Sequence, residues 1–282
     1  MNLKEALNVA SEELMKTGSL DAKLEAEVLL RHVLKIDRAA MFRDLDEDIS
    51  MEDSSNIASL VKRRIKREPL AYITGVKEFY GLPFVVSEDV LIPRQETELL
   101  VDAAIVQAKS LGKNQISIVD VGTGSGAIAV SLALNIPTSS IIAVDISEAA
   151  LAIADDNRRT HGLYSRIKLR RGNLLEPIID KIDILVSNLP YIRSDKLTSL
   201  QEEVLREPVV ALDGGYDGLE LIKRLLFQAV DKMSNPGVIL FEIDPDQASE
   251  AVKLCQQFFP SAITTVLKDL SNNERAVLLE IR

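Results

Sequence analysis

Tryptophan is missing from this chain of 282 residues, and aromatic residues make up only 4% of it. Little is left from which to build a stacking platform for an extruded nucleobase. Cysteine occurs once, at Cys255, so no disulfide can form within the chain. With one thiol and two histidines, His32 and His161, a metal site built from soft ligands is not expected. Basic residues are outnumbered, 33 Lys and Arg against 43 Asp and Glu, for a formal net charge of −10. A chain this acidic lacks the electrostatic footprint of stable nucleic-acid binding. No apolar run is long enough to span a bilayer. There is no internal repeat and no low-complexity segment. Met1–Leu7 shows neither the charged-then-apolar order of a secretory signal nor the acid-poor composition of a transit peptide. We expect a cytoplasmic protein in a reducing compartment, with no membrane partner.

What is present is a change of period along the chain. Leu3, Ala6, Leu7, Ala10 and Leu14 recur at helical spacing, and Ala22–Leu34 repeats the pattern after Gly18-Ser19. Asp53-Ser54-Ser55 is expected to cap a third helix through Ile57, Leu60, Val61 and Ile65. Residues 1–75 therefore read as a small helical bundle. Residues 76–92 carry β-prone Phe79, Tyr80, Phe84, Val85 and Val86 around Gly81-Leu82-Pro83, and read as a β-hairpin or extended linker. Pro93 is expected to open a helix with acids in its first turn. In residues 93–282, strand patterns at 116–121, 141–145, 167–170, 182–187, 237–243, 262–267 and 275–281 alternate with helical ones at 125–134, 147–159, 218–233 and 246–259. That alternation predicts an α/β domain with a seven-stranded, mostly parallel sheet and helices on both faces. The link Asp269–Glu274 has no room for a helix, so the last two strands should pair antiparallel.

The first strand of that domain runs into Gly122-Thr123-Gly124-Ser125-Gly126. Glycines let backbone N–H groups approach a ligand at a helix N-terminus. The third glycine falls one residue sooner than in the dinucleotide fingerprint G-x-G-x-x-G. With Asp120 on the preceding strand, this suits a ligand that lacks a pyrophosphate and has a cationic end. Asp145, closing the next strand, can accept from both hydroxyls of a ribose. Asn173 and Leu174, after the third strand, fall where an adenine edge would lie. A glycine turn made only for close packing is the competing reading.

The fourth strand, Ile182–Val186, delivers Ser187-Asn188-Leu189-Pro190-Tyr191. Open α/β sheets bind ligands at the carboxyl ends of their strands, so this loop should face the glycine turn. The Asn188 side-chain oxygen and the Leu189 carbonyl can each accept one N–H of a planar NH₂ group. Pro190 biases Leu189 to an extended backbone, and Tyr191 can pack on the flat group and exclude water. This is chemistry suited to methyl transfer to an amide or amino nitrogen. Taken alone, the segment is also an ordinary turn.

Together these residues resemble a class I S-adenosylmethionine-dependent methyltransferase with a Rossmann-like fold. Nearly the whole chain is similar to the PrmC/HemK family of protein-glutamine N5-methyltransferases. The resemblance runs through Glu78–Phe84, Val90–Glu98, the glycine turn, Glu207-Pro208 and Ala211–Leu219. It implies S-adenosylmethionine as cofactor, with S-adenosylhomocysteine as product. It implies as substrate the Gly-Gly-Gln loop of peptide chain release factors, gripped in part by the helical domain. Asn188, Leu189, Pro190 and Tyr191 would be catalytic; Gly122, Thr123, Gly124, Ser125, Gly126, Asp145, Asn173, Leu174 and Asn188 would hold the cofactor. A monomer is expected.

Two positions depart from the family pattern. Leu189 stands where the family usually has the first proline of Asn-Pro-Pro-Tyr, and Asp244 where it often has glycine. Asn-Leu-Pro-Tyr is also the form typical of ribosomal-RNA adenine dimethyltransferases, so an adenine N6-methyltransferase acting on DNA or ribosomal RNA is the alternative. A nucleotide-dependent oxidoreductase is opposed by the glycine spacing, and a non-catalytic adaptor is hinted at only by the two departures. Lys62–Arg67 reads as a solvated helix face, or as a dock for a negatively charged partner surface or ribosomal RNA. His161 is expected at a helix C-terminus, Arg94–Glu98 and Tyr216 near the site, and Cys255 in the core.

Overall fold

The computed structural model describes all residues, Met1–Arg282. The chain forms two compact units: Met1–Gly75 with Gln201–Arg206, and Val76–Leu200 with Glu207–Arg282. The first is helical, with α1 (Leu3–Met15), α2 (Ala22–Leu34), α3 (Arg38–Arg43), α4 (Met51–Ile65) and α5 (Leu70–Thr74). Its core is the periodic apolar face, Leu3, Leu7, Leu14, Leu29, Leu30, Ile57 and Val61 among others. Asn2 and Glu5 form a reciprocal capping box at the start of α1. The cap of α4 is Ser50, not Asp53-Ser54-Ser55: Ser50 Oγ accepts from Asp53 N at 2.9 Å, and Asp53 already lies in the first turn of the helix.

The basic run Lys62–Arg67 is only partly a solvated face. Lys62 and Lys66 are exposed, but Arg64 is buried, donating to Glu25 Oε1 at 2.7 Å and Glu203 Oε1 at 2.8 Å. Arg63 pairs with Glu68, and Arg67 donates to the Thr17 carbonyl. The positive charge is used mostly inside the unit, which explains how Gln201–Arg206 belongs to it.

The second unit begins with a hairpin of β1 (Val76–Phe79) and β2 (Leu82–Val85), paired antiparallel. It is anchored rather than a free linker: Phe79 and Phe84 meet edge to face and enter the core beneath α6 (Glu98–Leu111). Pro93 does not open that helix. Ile92 N donates to Glu207 Oε2 at 3.0 Å, and Arg94 pairs with the same carboxylate, which keeps residues 92–94 extended until a 3₁₀ turn at Gln95–Thr97.

Strands β3 (Ile116–Val121), β4 (Ser139–Asp145), β5 (Ile167–Arg171), β6 (Ile182–Ser187), β7 (Met233–Glu242), β8 (Ile263–Lys268) and β9 (Glu274–Ile281) form one sheet in the order β5-β4-β3-β6-β7-β9-β8. All pairs are parallel except those of β9, which runs antiparallel to both β7 and β8. Helices α7 (Ala127–Asn135), α8 (Glu148–Thr160), α9 (Glu220–Ala229) and α10 (Ala248–Phe258) complete the unit. The pleat sends Ile118, Ile184, Val186 and Leu240 to a core shared with α6 and α7. Val119, Leu185, Ile239 and Phe241 face the other core, with α9 and α10. His161 caps the end of α8, with its ring on Phe84.

Cys255 is fully buried on α10, and burial pushes its thiol up to about 12. The thiolate is the reactive form. We therefore expect no reaction of the folded protein with a thiol reagent such as DTNB, and full titration once it is unfolded in denaturant. Rapid labelling of the native protein would contradict this packing.

Candidate active site

The chain lays down β3, β4 and β5 outward, then returns to place β6 against the open side of β3. The crevice at this reversal is where open α/β sheets bind ligands. Val121 and Ser187 are register partners, so the glycine turn and the Asn188 loop leave the sheet side by side. Together they line a cavity of about 280 Å³.

The turn is built for backbone approach. Gly122 has φ +73°, and a Cβ there would lie 3.0 Å from Leu189 Cδ2 and 3.6 Å from Asn188 O. A side chain there would crowd Leu189 and strain the left-handed backbone. Gly124 N donates to Asp145 Oδ2 and Ser147 N to Asp145 Oδ1, both at 2.9 Å. The Ile146 backbone also bears on this carboxylate, so Asp145 is held rigid with acceptor capacity left at the cavity wall. Burial raises its pKa, and the backbone donors oppose that rise. Asn157, fully buried on α8, donates to Ser125 O at 2.8 Å and Val85 O at 2.9 Å, tying the turn to the hairpin.

Gly122, Thr123, Gly124, Ser125, Asp145, Asn173, Leu174, Asn188, Leu189 and Pro190 line the cavity; Gly126 and Tyr191 do not. Gly126 is instead the left-handed residue before α7, which starts at Ala127. Asp120 also stays out of the cavity. It is completely buried, accepts from Thr123 Oγ1 at 2.7 Å and is pushed up to about 7 by desolvation. It braces the turn from beneath instead of meeting a cationic ligand end. The Asn173 side chain is committed, accepting from Arg224 at 3.0 Å and donating to Glu176 at 3.1 Å.

On the facing loop, Asn188 Nδ2 donates to Thr97 Oγ1 at 3.0 Å. Asn188 Oδ1 and the Leu189 carbonyl accept no hydrogen bond from the protein. They are two free acceptors on consecutive residues of the cavity wall. Tyr191 donates its hydroxyl to Glu242 Oε1 at 3.1 Å. It borders a separate hollow of about 390 Å³ with the exposed Tyr216. The segment Asp213–Gly218 packs flush on this loop: a Cβ at Gly214 would come within 2.7 Å of Pro190 O. Asp244, the second departure from the family pattern, caps the turn Pro245–Gln247, and Gln247 Nε2 then donates to Tyr191 O at 2.8 Å. It reinforces the loop after β7.

The sequence placed Thr97 near the site only as part of Arg94–Glu98 and Glu207 only within the family resemblance, and it did not single out Glu242, Asn157 or Arg224 as functional. Of these last three, only Glu242 carried a signal, an acid closing the apolar run Val238–Phe241.

A parallel sheet ending in an inserted antiparallel strand, with its ligand crevice between β3 and β6, defines a class I methyltransferase. The T. thermophilus 16S rRNA N2 G1207 methyltransferase, solved with AdoMet and guanosine, has this fold. It is 16% identical with a TM-score of 0.54, over 73% of this chain and 50% of that one. Residues 5–75 match the family model of the PrmC N-terminal domain, and residues 95–241 that of the methyltransferase small domain. The release factor glutamine methyltransferase of Moorella thermoacetica is 38% identical over 279 residues, covering 99% of this chain and 98% of that protein. That of Geobacter sulfurreducens is 41% identical over 237 residues, 83% of this chain and 81% of that protein. This chain belongs to the family of release factor glutamine methyltransferases.

Proposed function

We propose that this protein uses S-adenosylmethionine to methylate N5 of the glutamine in the Gly-Gly-Gln loop of a peptide chain release factor. The observation that carries the reading is the pair of free acceptors, Asn188 Oδ1 and Leu189 O, set beside the glycine turn. The names of the full-length relatives support the substrate. The residues fit the cofactor: a glycine turn in which Gly122 sits close against the facing loop, and a carboxylate at Asp145 with acceptor capacity left at the cavity wall. S-adenosylmethionine, when bound, supplies a sulfonium-activated methyl group.

An amide nitrogen is a weak nucleophile because its lone pair is delocalised. The two acceptors hold its two N–H bonds in one plane and so aim the nitrogen. Orientation of this kind is worth up to roughly 7–11 kcal/mol of barrier. The same acceptors stabilise positive charge as it grows on the nitrogen. The methylated amide cation is acidic enough to lose its proton to water, so the site needs no strong base. A release-factor substrate places the reaction in the cytoplasm.

The test is label transfer from radiolabelled S-adenosylmethionine, offered separately to unmodified release factor, duplex DNA and ribosomal RNA. Label should appear on the release factor, map to the loop glutamine and vanish on Gln→Ala substitution of that residue. Label on nucleic acid alone would overturn the reading in favour of adenine methylation.

A further inference from the structure

Asn188 is not free to choose which end of its amide faces the cavity. Thr97 Oγ1 lies 2.7 Å from Glu242 Oε2 and 3.0 Å from Asn188 Nδ2. A hydroxyl carries one proton, and an ionised carboxylate only accepts. The Thr97 proton therefore goes to Glu242. What Thr97 offers Asn188 is a lone pair, which only the amide NH₂ can use. Oδ1 is left pointing at the cavity. Tyr191 donates to the other carboxylate oxygen, Oε1, at 3.1 Å, so it does not compete with Thr97 for Oε2. Thr97 and Glu242 are both buried, at 4% and 1% exposure. A buried acid at the end of an apolar strand contributes nothing to packing, and desolvating it is costly.

We propose that Glu242 and Thr97 are positioning residues that decide which atom of the Asn188 amide meets the acceptor nitrogen, with the charge on Glu242 as the control. The proposal rests on the reading of the site as an amide methyltransferase. With Glu242 ionised, Oδ1 accepts an N–H of the substrate. When Oε2 takes up a proton, the carboxylic acid donates it to Thr97 Oγ1. The Thr97 hydroxyl proton is then released from Glu242 and turns to Asn188. The amide rotates to accept it, and its NH₂ group faces the substrate NH₂. Two donors then oppose each other, and the nitrogen is no longer aimed.

Glu242 is surrounded by Thr97 and Glu96 from the turn before α6, Tyr191 from the loop after β6, and Arg275 from β9. Burial pushes its carboxyl up to about 7; the hydroxyls of Thr97 and Tyr191 and the Arg275 guanidinium pull it down, while Glu96 adds to the rise. The control therefore falls within reach of ordinary assays.

The experiment measures kcat and KM for transfer to unmodified release factor across about pH 5.5–9. It uses wild type, Thr97→Val, Thr97→Ser and Glu242→Gln, with S-adenosylmethionine affinity by calorimetry as the check on folding. Thr97→Val keeps the shape and removes the hydroxyl; kcat should fall about 10-fold or more, with cofactor affinity nearly unchanged. Thr97→Ser should restore most of it. Wild-type kcat should fall as pH drops through about 7, and this acid limb should disappear in Glu242→Gln, with a lower plateau. A role in packing alone would leave the acid limb in place. Wild-type kcat in Thr97→Val, or an unchanged acid limb in Glu242→Gln, would overturn the positioning role alone. Absence of transfer by the wild type at every pH would overturn both it and the proposed reaction.

Discussion

Asn188→Ala is expected to reduce methyl transfer to the release factor by about 100- to 1,000-fold, the loss typical of removing one preorganised partner of transition-state charge. The substitution leaves the Leu189 carbonyl in place but removes the acceptor that fixes the second N–H. The substrate nitrogen is then tethered at one point and can rotate off line. It also strands the Thr97 lone pair, without disturbing Gly122–Gly126 or Asp145. Cofactor affinity should therefore stay within about 10-fold of wild type, since no charged contact is removed. Asn188→Asp sharpens the test. A carboxylate cannot donate to Thr97, and it adds a negative charge close to buried Glu242, so the loss should match or exceed that of alanine. Single-turnover assays on unmodified release factor, with calorimetry for the cofactor, separate the two effects. Near-normal turnover of Asn188→Ala would mean that the nitrogen is aimed by other groups.

How much of this could be read from the chain depends on whether the causes are local. Strands β3, β4 and β6 are apolar runs that lead into Gly122, Asp145 and Ser187-Asn188, and strand pattern and turn chemistry agree there. Asp145 and Asn188 were legible because each is a polar residue placed directly after such a run. Errors came where a distant group intervenes. Pro93 looks like a helix start until Glu207, 115 residues from Ile92, holds the backbone extended. Arg64 looks like part of a solvated face until Glu25 and Glu203 arrive to bury it. Glu242 is the clearest case. An acid after Phe241 suggests a strand emerging into water, and only the convergence of Thr97, 145 residues away, and Tyr191 makes it an interior charge. No period or motif in the chain encodes that meeting.

Asp145→Ala is expected to weaken S-adenosylmethionine binding by about 100-fold or more, from the loss of two charge-assisted acceptor contacts worth roughly 1.5–3 kcal/mol each. Two losses combine. The proposed contacts to the ribose hydroxyls go directly. In addition, Gly124 N and Ser147 N lose the carboxylate that holds the glycine turn and the start of α8 in register. Asp145→Asn distinguishes this from a simple charge effect. An asparagine keeps one acceptor oxygen, but its NH₂ must then face one of the two backbone N–H groups, so it should bind nearly as poorly as alanine. The pH dependence has a definite sign. Burial raises the Asp145 pKa, and its protonated form has fewer acceptor sites. Wild-type affinity should therefore begin to fall at a higher pH than an ordinary aspartate would dictate, and that acid limb should be missing in Asp145→Ala. Calorimetric titration of both variants over acid to neutral pH reads all three expectations. An unchanged dissociation constant in Asp145→Ala would place the ribose elsewhere, and an acid limb that persists in the variant would assign the titration to another group, of which buried Asp120 is the nearest candidate.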